Sequence, residues 1–260
     1  MRALFLLLIL CVLLLIVSCK KHEAQQSVPH VQALLDSMFV SESPAGDATA
    51  YKFLYDGDGF VVKILFREIH GVSENPGSDS LAYDSGHKLQ KVFFAGVNGQ
   101  RENDYLYDAN GRLTKIIFDA AQGSGHYMYL TYYAGNKVAA MGEYVNNNLV
   151  NELIFTYNES GNLLTEIDSS ITDGSAAHYA YGAYDSKPCF TGLLAGISFF
   201  VLPGDIFPLQ SVNNLLKRTN VGTGEVSSYD YDYRGDGFPS RVSIAGSNGD
   251  STNCYLHYTN

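Results

Sequence analysis

Tyr107-Asp108-Ala109-Asn110-Gly111-Arg112-Leu113-Thr114-Lys115-Ile116 is the stretch that decides the fold. An aromatic residue ends one strand, a short polar turn follows, a glycine closes the turn, and an apolar strand begins. Asp108 has a side chain able to bond the backbone two residues on. Gly111 supplies the positive φ that the closing position of a type I turn with a G1 bulge demands. The same grammar recurs at Tyr55-Asp56-Gly57-Asp58-Gly59-Phe60, Tyr157-Asn158-Glu159-Ser160-Gly161-Asn162-Leu163 and Tyr233-Arg234-Gly235-Asp236-Gly237-Phe238. Gly59, Gly111, Gly161 and Gly237 therefore share one offset from their tyrosines.

Looser copies begin at Tyr83, Tyr133 and Tyr184. The marker tyrosines are separated by 28, 24, 26, 24, 27 and 49 residues. A period near 25 holds two strands of about six residues and two turns, which is one hairpin. The final step is close to two periods and reads as a copy that has been overwritten. Along the strands apolar and polar residues alternate. Tyr51, Phe53 and Tyr55 share a face, as do Leu153, Phe155 and Tyr157, and Tyr229, Tyr231 and Tyr233. Lys52, Lys63, Glu152, Asp230 and Asp232 occupy the other face. That pattern predicts an all-β chain: an antiparallel meander of hairpins curling into an open or closed barrel-like sheet with one buried side. Tyr127-Met128-Tyr129-Leu130 is apolar on both faces and reads as a central or covered strand.

The N-terminus carries an address. Met1-Arg2 precedes an apolar run from Ala3 to Val17, too short for a spanning helix, which needs about 20 residues. It has the form of a secretory signal. The exit Ile16-Val17-Ser18-Cys19 resembles the lipobox of bacterial lipoproteins, with an ordinary signal peptide as the alternative. The resemblance implies cleavage before Cys19, acylation of its thiol, and an outer-membrane lipoprotein facing either the periplasm or the cell surface. The expected organisation is a signal peptide at 1–18, a lipidated N-terminus and flexible tether at 19–40, and a single repeat-built domain at 41–260. Val28, Val31, Leu34, Leu35 and Met38 have helical spacing, although a strand leading toward Tyr51 fits them nearly as well.

Cleavage would remove Arg2, leaving 16 basic against 27 acidic residues, a charge of about −11. So acidic a chain lacks the footprint of a nucleic-acid binder and is a poor match for anionic lipid. Its membrane partner is reached through the lipid on Cys19. Two cysteines remain beyond the signal and the lipobox, Cys189 and Cys254. They are either a candidate disulfide, worth about 4–5 kcal/mol on the chain-entropy account, or two buried thiols.

Tyr-Asp-x-x-Gly-x-Leu followed by Thr-Lys-Ile, at Tyr107–Ile116, resembles the tyrosine-aspartate repeats of Rhs-type proteins. Lipobox, degenerate repeats and one apolar insertion together resemble a family of Gram-negative lipoproteins of unknown function with a porin-like fold. The likeness spans about residues 50–258. It implies a β meander curling toward a barrel, and no activity. The insertion runs from Lys187 to about Thr219, and its core is Phe190 to Pro203. It is expected to plug or cap an open end of the sheet, or to act as a lid over a ligand.

Chemistry is sparse. None of the seven histidines has zinc-protease spacing, so no metal or cofactor is expected. Asp56-Gly57-Asp58-Gly59 is a fragment of a calcium loop without its later ligands. Arg234-Gly235-Asp236 falls in a turn slot that already explains it. Asp104, Glu143, Glu152 and Glu166 are candidate glycosidase carboxylates whose pairing sequence does not reveal. The reading is therefore an anchored, non-enzymatic binding or structural module with a protein or glycan partner. The alternatives are a glycan-binding lipoprotein of a polysaccharide uptake system and, further off, a hydrolase. A membrane-spanning barrel is disfavoured by the charged outer face.

Overall fold

The computed structural model describes residues 34–43, 46–97, 99–191 and 211–259. The signal, Cys19 and the tether up to residue 33 lie outside the described residues, as does the centre of the insertion, 192–210. Sixteen strands follow one another: β1 Leu34–Ser43, β2 Ala48–Tyr55, β3 Val61–His70, β4 Ser73–Tyr83, β5 Leu89–Gly96, β6 Gly99–Tyr107, β7 Leu113–Phe118, β8 His126–Tyr132, β9 Val138–Val145, β10 Asn148–Tyr157, β11 Leu163–Ser170, β12 Ala176–Pro188, β13 Asn213–Asn220, β14 Val226–Tyr233, β15 Pro239–Gly246 and β16 Ser251–Thr259. Each pairs antiparallel with the next, and β1 pairs with β16, so the meander closes into a barrel.

The repeat turns form as their composition dictates. Asp56, Asp84 and Asp108 each accept two backbone N–H bonds on Oδ1, from residues two and four further on. The closing position has positive φ at Gly59 (85°), Gly111 (78°), Gly161 (81°) and Gly237 (89°). His87 (59°) and Asn136 (67°) take the same role in the looser copies. After each of these turns the register skips one residue, as at Leu54/Tyr55 and Leu106/Tyr107. This is the extra residue of a bulge, and it increases local twist.

The bulges set up a belt. Eight tyrosines, 55, 83, 107, 132, 157, 184, 231 and 258, each donate a hydroxyl bond of 2.5–3.0 Å to a carbonyl on the strand just before their own. The acceptors are Leu35, Val61, Leu89, Leu113, Val138, Leu163, Leu215 and Pro239. Each ring thus staples one hairpin to the one before it. Burial raises the phenol pKa of Tyr107 to about 12, so the hydroxyl stays a donor. Replacing Tyr107 by Phe keeps the ring and removes only the bond to Leu89. The expected cost is about 1 kcal/mol, measured as a lower urea midpoint with an unchanged m-value.

Four expectations change. The markers Tyr133 and Tyr233 are replaced in the belt by Tyr132 and Tyr231, while Tyr133 bonds Phe155 O and Tyr233 bonds Asp185. No repeat has been overwritten: the long step contains a β12–β13 hairpin whose connection is lengthened, and β13 already begins at Asn213. Strands run mostly to 8–10 residues instead of six, because polar and turn-forming residues such as those of Ser73-Glu74-Asn75-Pro76-Gly77 continue β4. Gly77 allows this, since a Cβ there would lie 2.2 Å from the Phe66 ring that crosses it. Finally, Leu34 to Met38 belong to strand β1, so the barrel starts at Leu34 and not near 41.

Inside, one apolar cluster takes a buried residue from every strand, among them Phe53, Ile64, Tyr105, Ile116, Leu215 and Val242, all at most 2% exposed. Outside, Lys52, Lys63, Lys91, Glu102, Glu152 and Asp230 stand at register positions that alternate with this core.

Candidate binding site at the polar mouth

The strands cross the barrel between two rims. One carries the repeat turns, the start of β1 and the end of β16. The other carries the alternate hairpin connections. Near this far rim the inward positions switch from apolar to polar while the period of two continues. Asp79 follows in phase with Leu81, Asn103 with Tyr105, and Glu143 with Met141. The register places Phe94 beside Asp79 and Arg101, and Phe118 beside His126. A mouth lined by charge therefore sits above the apolar core.

One recess at this mouth is a cleft of about 240 Å³ lined by Phe94, Arg101, Asn103, Phe118, Asp119 and His126. The Arg101 guanidinium lies 5.5 Å from the Phe94 ring centre. The His126 ring tilts against Phe118 at 4.5 Å. Asp119, held at φ 48° on the turn that follows β7, donates its backbone N–H to Asn103 Oδ1 at 3.2 Å. His126 Nε2 lies 2.6 Å from Glu143 Oε1, and Asn151 Nδ2 donates to Glu143 Oε2 at 2.6 Å. Further round, Tyr181 donates to Glu166 Oε2 at 2.9 Å, and Arg218 stacks 5.0 Å from the Tyr179 ring centre.

Burial governs ionisation here. It lifts the Asp79 carboxyl from 3.8 to about 6, with Arg101 opposing the shift. It raises Glu166, partly offset by the Tyr181 bond, and it raises Asp168, with the nearby Glu143 charge adding to the effect. Of the candidate carboxylates, Glu143 and Glu166 face inward, whereas Asp104 and Glu152 face outward and do not join them. Among the described residues no group of three or more His, Cys, Asp or Glu is arranged to hold a metal ion.

Cys189 and Cys254 are free, buried thiols, so the candidate disulfide is not formed. Cys254 is packed between Val40 and Val242 in the barrel wall, and Cys189 Sγ faces Thr191 Oγ1 at 3.0 Å. Burial pushes the Cys254 thiol up to about 12. The Asp56 carboxylate is committed to its turn. Arg234 and Asp236 pair with each other at 3.0 Å. The doubly apolar strand β8 puts Tyr127 and Tyr129 outside, where they meet Tyr144 and enclose the Lys115 ammonium, 3.9 Å from the Tyr127 ring centre.

The fold has a counterpart among solved structures. A porin-like protein from Bacteroides uniformis aligns with a TM-score of 0.62 at 10% identity, covering 86% of this chain and 98% of its own. The chain also aligns with 12% of the length of TcdB2–TccC3 (TM-score 0.32, 12% identity) and 11% of a chain of the Photorhabdus luminescens Tc holotoxin pore (0.30, 12%). No protein-family profile matches the sequence, and no curated protein is similar to it. The first likeness establishes a shared barrel fold.

The mouth was missed in the sequence because its residues interrupt an otherwise apolar face. A signal was available: polar residues in phase with the buried series mark where that face stops being a core.

Proposed function

We propose that this chain is a lipid-anchored, non-enzymatic binding module of a bacterial envelope. Acyl chains on Cys19 hold it to the membrane, the following residues tether it, and the polar mouth receives a ligand. One observation carries the reading. The interior is a packed apolar core and not a polar lumen, and the outer face interleaves charged side chains such as Lys52, Lys91 and Glu152 with apolar ones such as Leu65 and Phe93 in place of the continuous apolar band of a lipid-embedded channel. Such a barrel is soluble in its own right and needs a separate anchor. More than one acyl chain supplies stable attachment where a single chain does not. A glycan partner would draw on the outer rings around Tyr129, which is 43% exposed.

The full chain expressed in a Gram-negative host tests this. The wild type should sediment with membranes and be released by detergent, and Cys19→Ala should move to the soluble fraction. The purified barrel should give no conductance in planar bilayers. Membrane retention of Cys19→Ala, or discrete channel currents, would overturn the proposal.

A further inference from the structure

The cleft at the mouth contains one buried polar atom that the protein leaves without a hydrogen-bond partner, Asp119 Oδ1, beside the guanidinium of Arg101. Arg101 lines the cleft with a guanidinium that stacks on the Phe94 ring and acts on the Asp79 carboxyl at a distance, with no hydrogen bond or ion pair among the described residues. On the same cleft, Asp119 Oδ1 is buried with no hydrogen-bond partner. Between them Asn103, 8% exposed, spends its carbonyl oxygen on holding the Asp119 backbone. Phe94 and Phe118 provide the apolar surface. Arg101 is exposed to solvent at the cleft, and the buried Asp119 oxygen beside it is an acceptor that a ligand donor can satisfy; a buried acceptor left unsatisfied is costly.

The geometry points to a free α-amino acid with an apolar side chain as that ligand. This inference rests on the reading of the barrel as a binding module and names the ligand class of its mouth. Arg101 offers the planar donor fork that a carboxylate accepts in a bidentate manner. Asp119 is acceptor-only and suits an ammonium group. The two phenylalanine rings suit an aliphatic or aromatic side chain. Arg101 and Asn103 are two residues apart on β6, and Asp119 is bonded to Asn103. The Arg101 and Asn103 backbone positions are thus one two-residue step apart, roughly 7 Å, and Arg101 and Asp119 line the same cleft. A zwitterion neutralises both groups and carries no net charge into a protein whose formal net charge is −10. A phosphate would satisfy Arg101 but would be repelled by Asp119. The recess of about 240 Å³ is below the usual range for drug-sized ligands and admits one small molecule.

Titration calorimetry on the detergent-solubilised full-length protein tests this with L-phenylalanine, L-leucine, N-acetylphenylalanine and phenylalaninamide. The variants are Arg101→Met, which keeps the stack on Phe94, and Asp119→Asn, which tolerates positive φ. Wild type should bind one free amino acid per chain, and each variant should weaken that binding at least tenfold. The carboxylate-blocked amide should bind weakly and be insensitive to Arg101→Met. The amine-blocked acid should bind weakly and be insensitive to Asp119→Asn. Circular dichroism melting confirms that each variant is folded. Absence of binding to a folded wild type, or binding that neither variant changes, overturns the site. Arg101-dependent binding of a hexuronic acid in preference to any amino acid overturns the ligand class while leaving the binding module in place. Channel currents or membrane retention of Cys19→Ala would defeat the module reading by a separate measurement.

Discussion

Replacing Tyr105 by alanine is expected to lower the free energy of unfolding by about 3–5 kcal/mol. The side chain is 1% exposed, sits opposite Ile116 on β7, and belongs to the cluster to which all strands contribute. Two losses combine. The ring's burial is forfeited, and a void opens that the surroundings must either fill or tolerate. Filling it is difficult in a closed barrel, because no strand can move inward without carrying its two bonded neighbours. Phe39, on the outer face and 38% exposed, serves as the control. Its truncation should cost well under about 1 kcal/mol, since surface changes away from special features are small. Urea denaturation of both variants checks the contrast. Equal costs would mean that the inward face is not the packed one.

The second large effect is a gain. Asp79→Asn should stabilise the protein at neutral pH. Asp79 is 8% exposed, lies between Ile64 and Phe94 in the ladder, and has an Oδ1 without a hydrogen-bond partner. Its carboxyl titrates near 3.8 when unfolded and at about 6 when folded, because burial disfavours the charge. Between those values the folded chain holds a proton that the unfolded chain has released. Stability therefore falls as pH rises through about 4 to 6, and above that window the penalty is complete at about 3 kcal/mol. Asparagine retains the shape and removes the charge. The variant should match wild type near pH 3.5 and exceed it at pH 7 by up to about 3 kcal/mol, or about 6–12 °C in Tm. A variant less stable than wild type at pH 7 would show instead that the Asp79 carboxylate is held by Arg101 as a working ion pair.

The turns were the legible part of this chain. Gly59, Gly111, Gly161 and Gly237 announce themselves because only a few residue types accept their backbone angle, and Asp56 and Asp108 announce the bonds that build the turn. The face shared by Tyr51, Phe53 and Tyr55 follows from the period of two alone. What was hard to see depends on partners distant in sequence. Tyr132 and Tyr133 are indistinguishable as letters, and only the ladder decides which ring turns inward to reach Leu113. His87 and Asn136 substitute for glycine, and a search keyed on glycine passes over them. The segment Ser73 to Gly77 looks like a loop because proline and glycine interrupt it, yet pairing with β3 holds it as a strand. The mouth was least legible of all. Asp79, Asn103 and Glu143 look like ordinary surface residues until the register shows which way their positions face.

Pairing of β1 with β16 has a consequence for the lipid anchoring proposed above. A sheet with two free borders can recruit the backbone of a neighbour, which is how many β proteins polymerise. Here the first and last strands satisfy each other, so among the described residues the sheet has no free border to template another copy. Under that proposal, barrels packed side by side on a lipid surface meet through side chains and not through sheet borders, and can be concentrated there without this route to fibres.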